Sequence, residues 1–132
     1  MTPVDVVRAV YEVLSGRAGE PRDWNRFRTC YHPQASLIPV STDASGRTVV
    51  DVFDVDGYIV SRTPMLAKAD FHEVERRSEC HVWGHVAHVL SEYDSRRTPD
   101  GEPFATGTNS VQLVEESGAW RIISVTWAVT GA

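Results

Sequence analysis

Few histidine or carboxylate side chains lie within the apolar segments of this chain, where they could donate or accept a proton in a reaction. His72 opens a β-rich run, and strand alternation places it on the same face as Val74 and Arg76. It is the one histidine of that strand predicted to face inward, so we predict His72 as the candidate catalytic acid or base. Asp54 and Asp56 are alternatives, but capping of a following helix explains one of them without chemistry.

Three further histidines surround one tight turn. His81 and His88 face each other across two predicted strands and His85 lies in the turn, so two imidazoles could share a metal ion. The sequence places no carboxylate ligand beside them and no residue that would orient their imidazole rings. A pair of histidines exposed to solvent is therefore favoured by about five to one. We predict no metal site and no cofactor, since the sequence contains no phosphate loop or dinucleotide fingerprint either.

Tyrosine hydroxyls at two helical positions could stabilise a developing anion. Tyr11 lies in the first predicted helix and Tyr31 at the end of the second. A tyrosine on an apolar helical stripe is more often a core residue with a hydrogen-bonded hydroxyl, by about three to one. Neither residue identifies a site by itself.

Three helices and six strands must position these side chains. Caps, prolines and apolar spacing predict helices over residues 2–16, over 21 to about 31, and after Asp54 or Asp56. The third helix carries Tyr58, Ile59 and Leu66, and Pro64 is predicted to bend or shorten it. Alternating β-rich runs predict strands over residues 35–41, 48–53, 71–83, 86 to about 95, about 104 to 115, and 120–129. Helices followed by a long antiparallel meander predict an α+β domain.

The hairpin around Gly84 and His85 determines which side chains face inward. Glycine at the first central position fits a two-residue II′ turn, which fixes the pairing. The predicted pairs are Trp83 with Val86, His81 with His88, Arg77 with Glu92, and Glu75 with Asp94. The charged, outward face then holds Glu73, Glu75, Arg77, Glu79, His81, His88, Glu92 and Asp94. The inward face holds Val74, Arg76, Ser78, Cys80 and Val82 opposite Ser95, Tyr93, Ser91, Val89 and Ala87.

Small inward side chains under a curved sheet predict a ligand cavity. Arg76 opposite Tyr93 would bring polar groups to its wall, and an Arg76 side chain stacked on Tyr93 in water at the rim is an equal alternative. Tyr58, Asn109 and Trp127 complete the predicted ligand contacts. Whether Asn109 points inward depends on whether the turn of the last hairpin contains two, three or four residues. Trp127 could belong to a dimer interface instead.

The last hairpin has apolar residues on both predicted faces. Ile123, Val125 and Trp127 occupy one side, while Trp120 and Ile122 occupy the other. The helices can cover only the inner face, so we predict a homodimer that packs through the outer face of the last two strands.

Composition excludes several partners. The formal net charge is -5, and the 13 lysines and arginines are spread along the chain, so no nucleic-acid surface is predicted. No apolar run reaches the ~20 residues of a membrane span, and the N-terminal residues do not resemble a secretory signal. We expect one cytoplasmic domain over residues 1–132, with Cys30 and Cys80 as buried, reduced thiols.

Four segments in this order resemble the nuclear transport factor two-like superfamily, and its SnoaL-like and small uncharacterised members most. They are FRTCYHPQASLIPV, DVFDVDGYI, FHEVERRSECHVWGHVAHVLSEYDSRR and GTNSVQLVEESGAWRIISVTW. The resemblance implies a cone of three helices and a strongly curved, mainly antiparallel six-stranded sheet that encloses a pocket and usually dimerises. Members include ketosteroid isomerases, polyketide cyclases, dehydratases, limonene epoxide hydrolases and noncatalytic association domains. ASLIPV contains no acid, so the isomerase pattern of an aspartate in the first strand is not visible.

The sequence therefore supports two hypotheses of different classes. The first is a pocket protein that binds an apolar or aromatic metabolite, with cofactor-independent isomerase, cyclase or dehydratase chemistry if it is catalytic. The second is a noncatalytic dimerisation or protein-association module with an incidental pocket. Fold alone does not choose between them.

Overall fold

The computed structural model describes residues 1–129, which fold as three helices and six strands. In chain order these are α1 (Pro3–Leu14), α2 (Trp24–Thr29), β1 (Tyr31–Thr42), β2 (Thr48–Val50), α3 (Val55–Lys68), β3 (His72–Trp83), β4 (Val86–Arg96), β5 (Pro103–Glu116) and β6 (Ala119–Val129). The strands form one curved, open sheet in the order β2-β1-β6-β5-β4-β3. β1 and β6 are parallel and the other neighbours are antiparallel, so the sheet is mixed. The predicted α+β class with six strands is confirmed.

The helices begin where their capping residues lie. Thr2 and Asp5 form a capping box at the start of α1, and the Asp54 carboxylate accepts a 2.7 Å hydrogen bond from the Gly57 N–H at the start of α3. Pro64 does not end α3, which continues to Lys68. The predicted second helix is too long, because α2 ends at Thr29 and Tyr31 already belongs to β1.

Two tight turns set the register of the two long hairpins. Gly84 has a φ of 59° and His85 has no positive φ, which agrees with the II′ turn predicted from sequence. Ser117 and Gly118 have φ values of 51° and 77°, typical of a I′ turn. The turn of the last hairpin therefore contains two residues. The sequence had left open whether it contains two, three or four.

A β-bulge interrupts the pairing of β3 with β4. The pairs from Trp83 with Val86 to Arg77 with Glu92 are those predicted. Arg76 has no residue opposite it in β4, and Glu75 pairs with Tyr93 in place of the predicted Asp94. Arg76 and Arg77 both reach outer-face acids: Arg76 Nε lies 3.1 Å from Asp94 Oδ1, and Arg77 Nε lies 3.3 Å from Glu92 Oε2.

This bulge reverses the facing of every β3 residue before it, because side chains alternate along a strand. Glu73 pairs with Ser95 on the inner face, whereas His72 pairs with Arg96 on the outer face. The predictions that His72 and Arg76 face inward, and that Glu73 and Glu75 face outward, are therefore wrong. In β4, the side chains predicted to point inward do so, and Val89 and Ser91 are fully buried.

A second bulge lies in β6. Leu113 pairs with Ile122 and Gln112 with Ser124, which leaves Ile123 unpaired. Ile122 and Trp120 thus share the inner face with Val125. The outer face of β5 and β6 carries mainly polar side chains, including Thr108, Ser110, Gln112, Ser124 and Thr126. The premise that both faces are apolar is wrong, and the homodimer stays a prediction without that argument.

The helices cover only part of the sheet. Cys30 is buried, but Cys80, which lies on the edge strand β3, is exposed. The prediction of two buried thiols is thus half right. Within residues 1–129, no helix combines the length and apolar character needed to cross a membrane.

Candidate ligand pocket and its acid

A pocket of about 250 Å³ lies between α1, α3 and the inner face of the sheet. Its walls are mostly aromatic and aliphatic side chains. Four polar side chains interrupt this lining and could orient a ligand: Arg62, Glu73, Ser95 and Asn109. A fifth, Arg97, is exposed at the edge of the pocket and stacks 3.9 Å from the Phe104 ring centroid.

The structure brings four of the six predicted site residues together. Tyr58, Tyr93, Asn109 and Trp127 all line the pocket. Arg76 and His72 do not line it, because the bulge in β3 turns both to the other face of the sheet.

Glu73 takes the inward place that the sequence argument gave to His72. Two contacts to the end of α1 hold this part of β3. Gly16 and Phe71 form an antiparallel bridge, and the Glu73 backbone N–H donates to Ser15 Oγ over 3.0 Å. The Ser15 hydroxyl in turn donates to the Tyr11 carbonyl oxygen over 2.8 Å. The backbone that carries the Glu73 carboxylate is therefore fixed relative to α1.

The Glu73 carboxylate lies in an unusual environment for an acid. No side chain among residues 1–129 forms an ion pair or hydrogen bond with it. Burial raises the pKa of Glu73 to about 7, and the Arg62 guanidinium opposes this rise. Near neutral pH the group is present in both protonation states, as a general acid or base requires.

Arg62 lies on α3 one helical turn after Tyr58 and projects into the same pocket. Its guanidinium carbon is 5.2 Å from the Tyr58 ring centroid and 5.9 Å from that of Trp127. The two rings meet edge to face with centroids 5.7 Å apart. Arg62 is thus held against two aromatic faces inside the pocket.

Tyr11 is held by a chain of hydrogen bonds from the pocket to the surface. Asn109 Nδ2 donates to the Tyr11 hydroxyl over 2.9 Å, and that hydroxyl lies 2.6 Å from Ser91 Oγ. Ser91 donates to Glu75 over 2.7 Å, and Arg8 pairs with Glu75 over 2.9 Å. Because the Ser91 proton goes to Glu75, Tyr11 donates its own proton to Ser91. Burial raises the pKa of Tyr11 well above its ordinary value.

Arg62 and Glu73 line the pocket but are not among the site residues predicted from the sequence. Arg62 was detectable, because it follows Tyr58 by four positions and precedes Leu66 by four, the spacing of one helical face. Glu73 was not detectable, because strand alternation from the Gly84 turn points it to solvent unless the bulge is known.

Metal ligands do not gather in the part of the chain that the structure describes: no three side chains of histidine, cysteine, aspartate or glutamate converge within residues 1–129. His81 and His88 pair across the hairpin as the predicted turn requires. His88 Nε2 lies 3.1 Å from Ser110 Oγ on the outer face.

Three helices against one curved, mixed sheet, with a pocket between them, define the nuclear transport factor two-like fold, also described as cystatin-like. Solved structures of this fold confirm the resemblance seen in the sequence. No family model matches the chain, and no curated protein matches it.

Three solved structures illustrate the similarity. A protein of unknown function with a cystatin-like fold from Nostoc punctiforme has a TM-score of 0.74 at 11% identity, covering 98% of this chain and 89% of that chain. An NTF-2 like protein of unknown function from Silicibacter pomeroyi has a TM-score of 0.66 at 16% identity, covering 96% and 92%. A candidate ketosteroid isomerase from Shewanella frigidimarina has a TM-score of 0.63 at 12% identity, covering 95% and 93%. At identities this low, structural similarity establishes the fold alone, and the function must be argued from the site.

Proposed function

We propose that this protein binds a small apolar or aromatic molecule in the pocket and that Glu73 exchanges a proton with it. The observation that carries this proposal is the Glu73 carboxylate, which faces an aromatic pocket without a bonding partner among residues 1–129. A structural acid in such a place is expected to be paired, because burying an unpaired carboxylate is costly.

The proposed chemistry is cofactor-independent proton transfer, as in isomerase, cyclase or dehydratase reactions. Glu73 removes or returns a proton on carbon, and Arg62 stabilises negative charge that develops on the ligand. Tyr58, Tyr93 and Trp127 hold the apolar body of the ligand, and Asn109 supplies a polar contact. Because His72 lies outside the pocket lining, the proton-transfer role moves to Glu73.

The test uses 5-nitrobenzisoxazole, a flat aromatic probe for a carboxylate base in an apolar site. The base removes the proton on C3, the ring N–O bond breaks, and the released nitrophenolate is measured by absorbance. We expect a saturable rate that rises through about pH 7, and a kcat/KM at least about 100-fold lower in Glu73→Gln.

Glu79→Gln is the matched control, because Glu79 lies on the same strand and is exposed. Its rate should equal that of the unmodified protein. A Glu73→Gln protein that retains the rate would reject Glu73 as the base.

A second candidate function, protein association, is favoured by the tip of the β3–β4 hairpin. Val82, Trp83 and Val86 are 52%, 63% and 45% exposed there. Exposed apolar residues in one place are typical of contact surfaces. Sedimentation velocity of the unmodified protein and of Trp83→Ser tests association through this tip; an unchanged oligomer distribution would exclude it.

A further inference from the structure

We infer that the ligand of this pocket carries a carboxylate that pairs with Arg62, and that binding of this anion is coupled to the protonation of Glu73. The inference rests on the proposed function, since it assumes that the pocket holds a small molecule. It adds the chemical class of the ligand: a small aromatic or alicyclic carboxylate.

Arg62 is the first observation. Its Nε is buried and has no hydrogen-bond partner among the described residues. No acid within residues 1–129 forms an ion pair with its guanidinium, although ten ion pairs occur elsewhere in that part of the chain. An N–H group that is removed from water without an acceptor is unfavourable, so this side of the guanidinium lacks a partner that a ligand anion would supply.

Glu73 does not supply that partner. It lines the same pocket as Arg62, but no carboxylate oxygen lies within the 4.0 Å of an ion pair. With Arg62 and Arg97 as the cations of the pocket and Glu73 as its acid, the lining is net positive when Glu73 is protonated. An anionic ligand neutralises this positive charge, whereas a neutral ligand does not.

The shape of the site favours a planar anion next to an apolar body. The Tyr58 and Trp127 rings, which meet edge to face, both contact the guanidinium, with centroids 5.2 and 5.9 Å from its central carbon. A carboxylate matches the guanidinium with two parallel hydrogen bonds, which a hydroxyl or ketone oxygen cannot do. The remaining walls, which include Leu37, Val111 and Val125, suit a compact ring.

A carboxylate beside Arg62 also changes the state of Glu73. A second negative charge in the pocket disfavours ionised Glu73, so the anion binds best when Glu73 is protonated. The charged and titratable groups that share this environment are Arg62 and Tyr58 on α3, Tyr11 on α1, Tyr31 on β1, Tyr93 on β4, Arg97 after it, and Glu75 on β3 itself. Burial raises the pKa of all four tyrosines, so Glu73 is the group that titrates near neutrality.

The experiment measures the Kd of phenylacetate, cinnamate and cyclohexanecarboxylate by isothermal titration calorimetry, with phenylacetamide as the neutral match of phenylacetate. We expect the carboxylates to bind at about pH 6 and phenylacetamide to bind at least about tenfold more weakly. Above about pH 7 the carboxylate Kd should rise by up to about tenfold per pH unit. These carboxylates stay ionised over that range, so the slope reports the protein.

Three variants sharpen the test. Arg62→Gln should weaken phenylacetate binding at least about tenfold and leave phenylacetamide within about threefold. Arg77→Gln, on the outer face of the sheet and outside the pocket lining, should change neither by more than about threefold. Glu73→Gln should retain phenylacetate binding and lose its dependence on pH, although the same variant loses the proton-transfer activity proposed above.

The two proposals can therefore fail separately. Equal affinity for phenylacetate and phenylacetamide, or a preference that survives Arg62→Gln, overturns the carboxylate inference and leaves Glu73 as the base. The absence of saturable binding by any of the three carboxylates overturns it as well. Persistent pH dependence in Glu73→Gln overturns the proton coupling.

Discussion

Glu73 lies directly opposite Ser95 in the β3–β4 pair, and both side chains line the pocket. This pairing exists because the bulge at Arg76 shifts the ladder by one residue. Without the bulge, Glu73 would meet solvent beside the other outer-face acids. One extra residue in an edge strand thus places the acid on which the proposed function depends.

The pH dependence of stability should report the desolvation of the Glu73 carboxyl in the folded state. A carboxyl whose pKa rises from 4.5 to about 7 on folding holds its proton more tightly in the folded state. The unmodified protein should therefore lose stability as the pH rises from about 4.5 to about 7, by on the order of 2 kcal/mol. Urea unfolding of the unmodified protein and of Glu73→Gln across this range measures the effect. Glu79→Gln should keep the slope of the unmodified protein, and a Glu73→Gln curve that runs parallel to it would contradict the burial argument.

The hydrogen bonds of Tyr11 should contribute to stability. Tyr11→Phe removes the acceptor of Asn109 and the donor to Ser91, so we expect a loss of about 1–3 kcal/mol in urea unfolding. Tyr31→Phe is the matched control, because the Tyr31 hydroxyl has no hydrogen-bond partner among residues 1–129, and it should cost less. Ser91→Ala combined with Tyr11→Phe should cost less than the sum of the single changes. Strict additivity would show that the two hydroxyls do not interact.

Gly107 should be intolerant of any side chain. A Cβ at this position would collide with the Tyr93 ring, which packs directly over the glycine on the inner face of the sheet. Gly107→Ala should destabilise the protein by about 1–3 kcal/mol, because the ring must move into the pocket. The double variant Gly107→Ala with Tyr93→Leu should recover part of this loss in thermal unfolding. A Gly107→Ala protein as stable as the unmodified one would show that Tyr93 does not hold this position.

The turn at Gly84 should tolerate alanine poorly for a different reason. Its φ of 59° lies in the left-handed region, while a methyl group added there would meet no atom beyond its chain neighbours within 4 Å in the described part of the chain. Gly84→Ala should therefore cost about 1 kcal/mol through backbone strain alone. Gly84→Asn should cost less, because asparagine adopts this conformation more readily. Equal unfolding midpoints for the glycine and alanine proteins would rule out the left-handed turn.

Local patterns were sufficient for the elements and their order. Gly84-His85 predicted the II′ turn. Thr2 predicted the start of α1, and Asp54 or Asp56 predicted the start of α3, where the structure has Asp54 as the cap. These features depend on residues close in sequence, such as caps, turn glycines and i, i+4 spacing, so the sequence alone contains the physical cause. The same patterns led to four residues that line the pocket.

The facing of the reactive side chains was decided only by the tertiary structure. The bulges at Arg76 and Ile123 each reverse the alternation of a strand, and neither residue type announces a bulge. A bulge forms where the curved sheet, the helices packed on it and cross-strand ion pairs together favour an extra residue. Those forces act between segments far apart in the chain. They moved His72 out of the pocket and Glu73 into it, and they gave the last strands one apolar face in place of two.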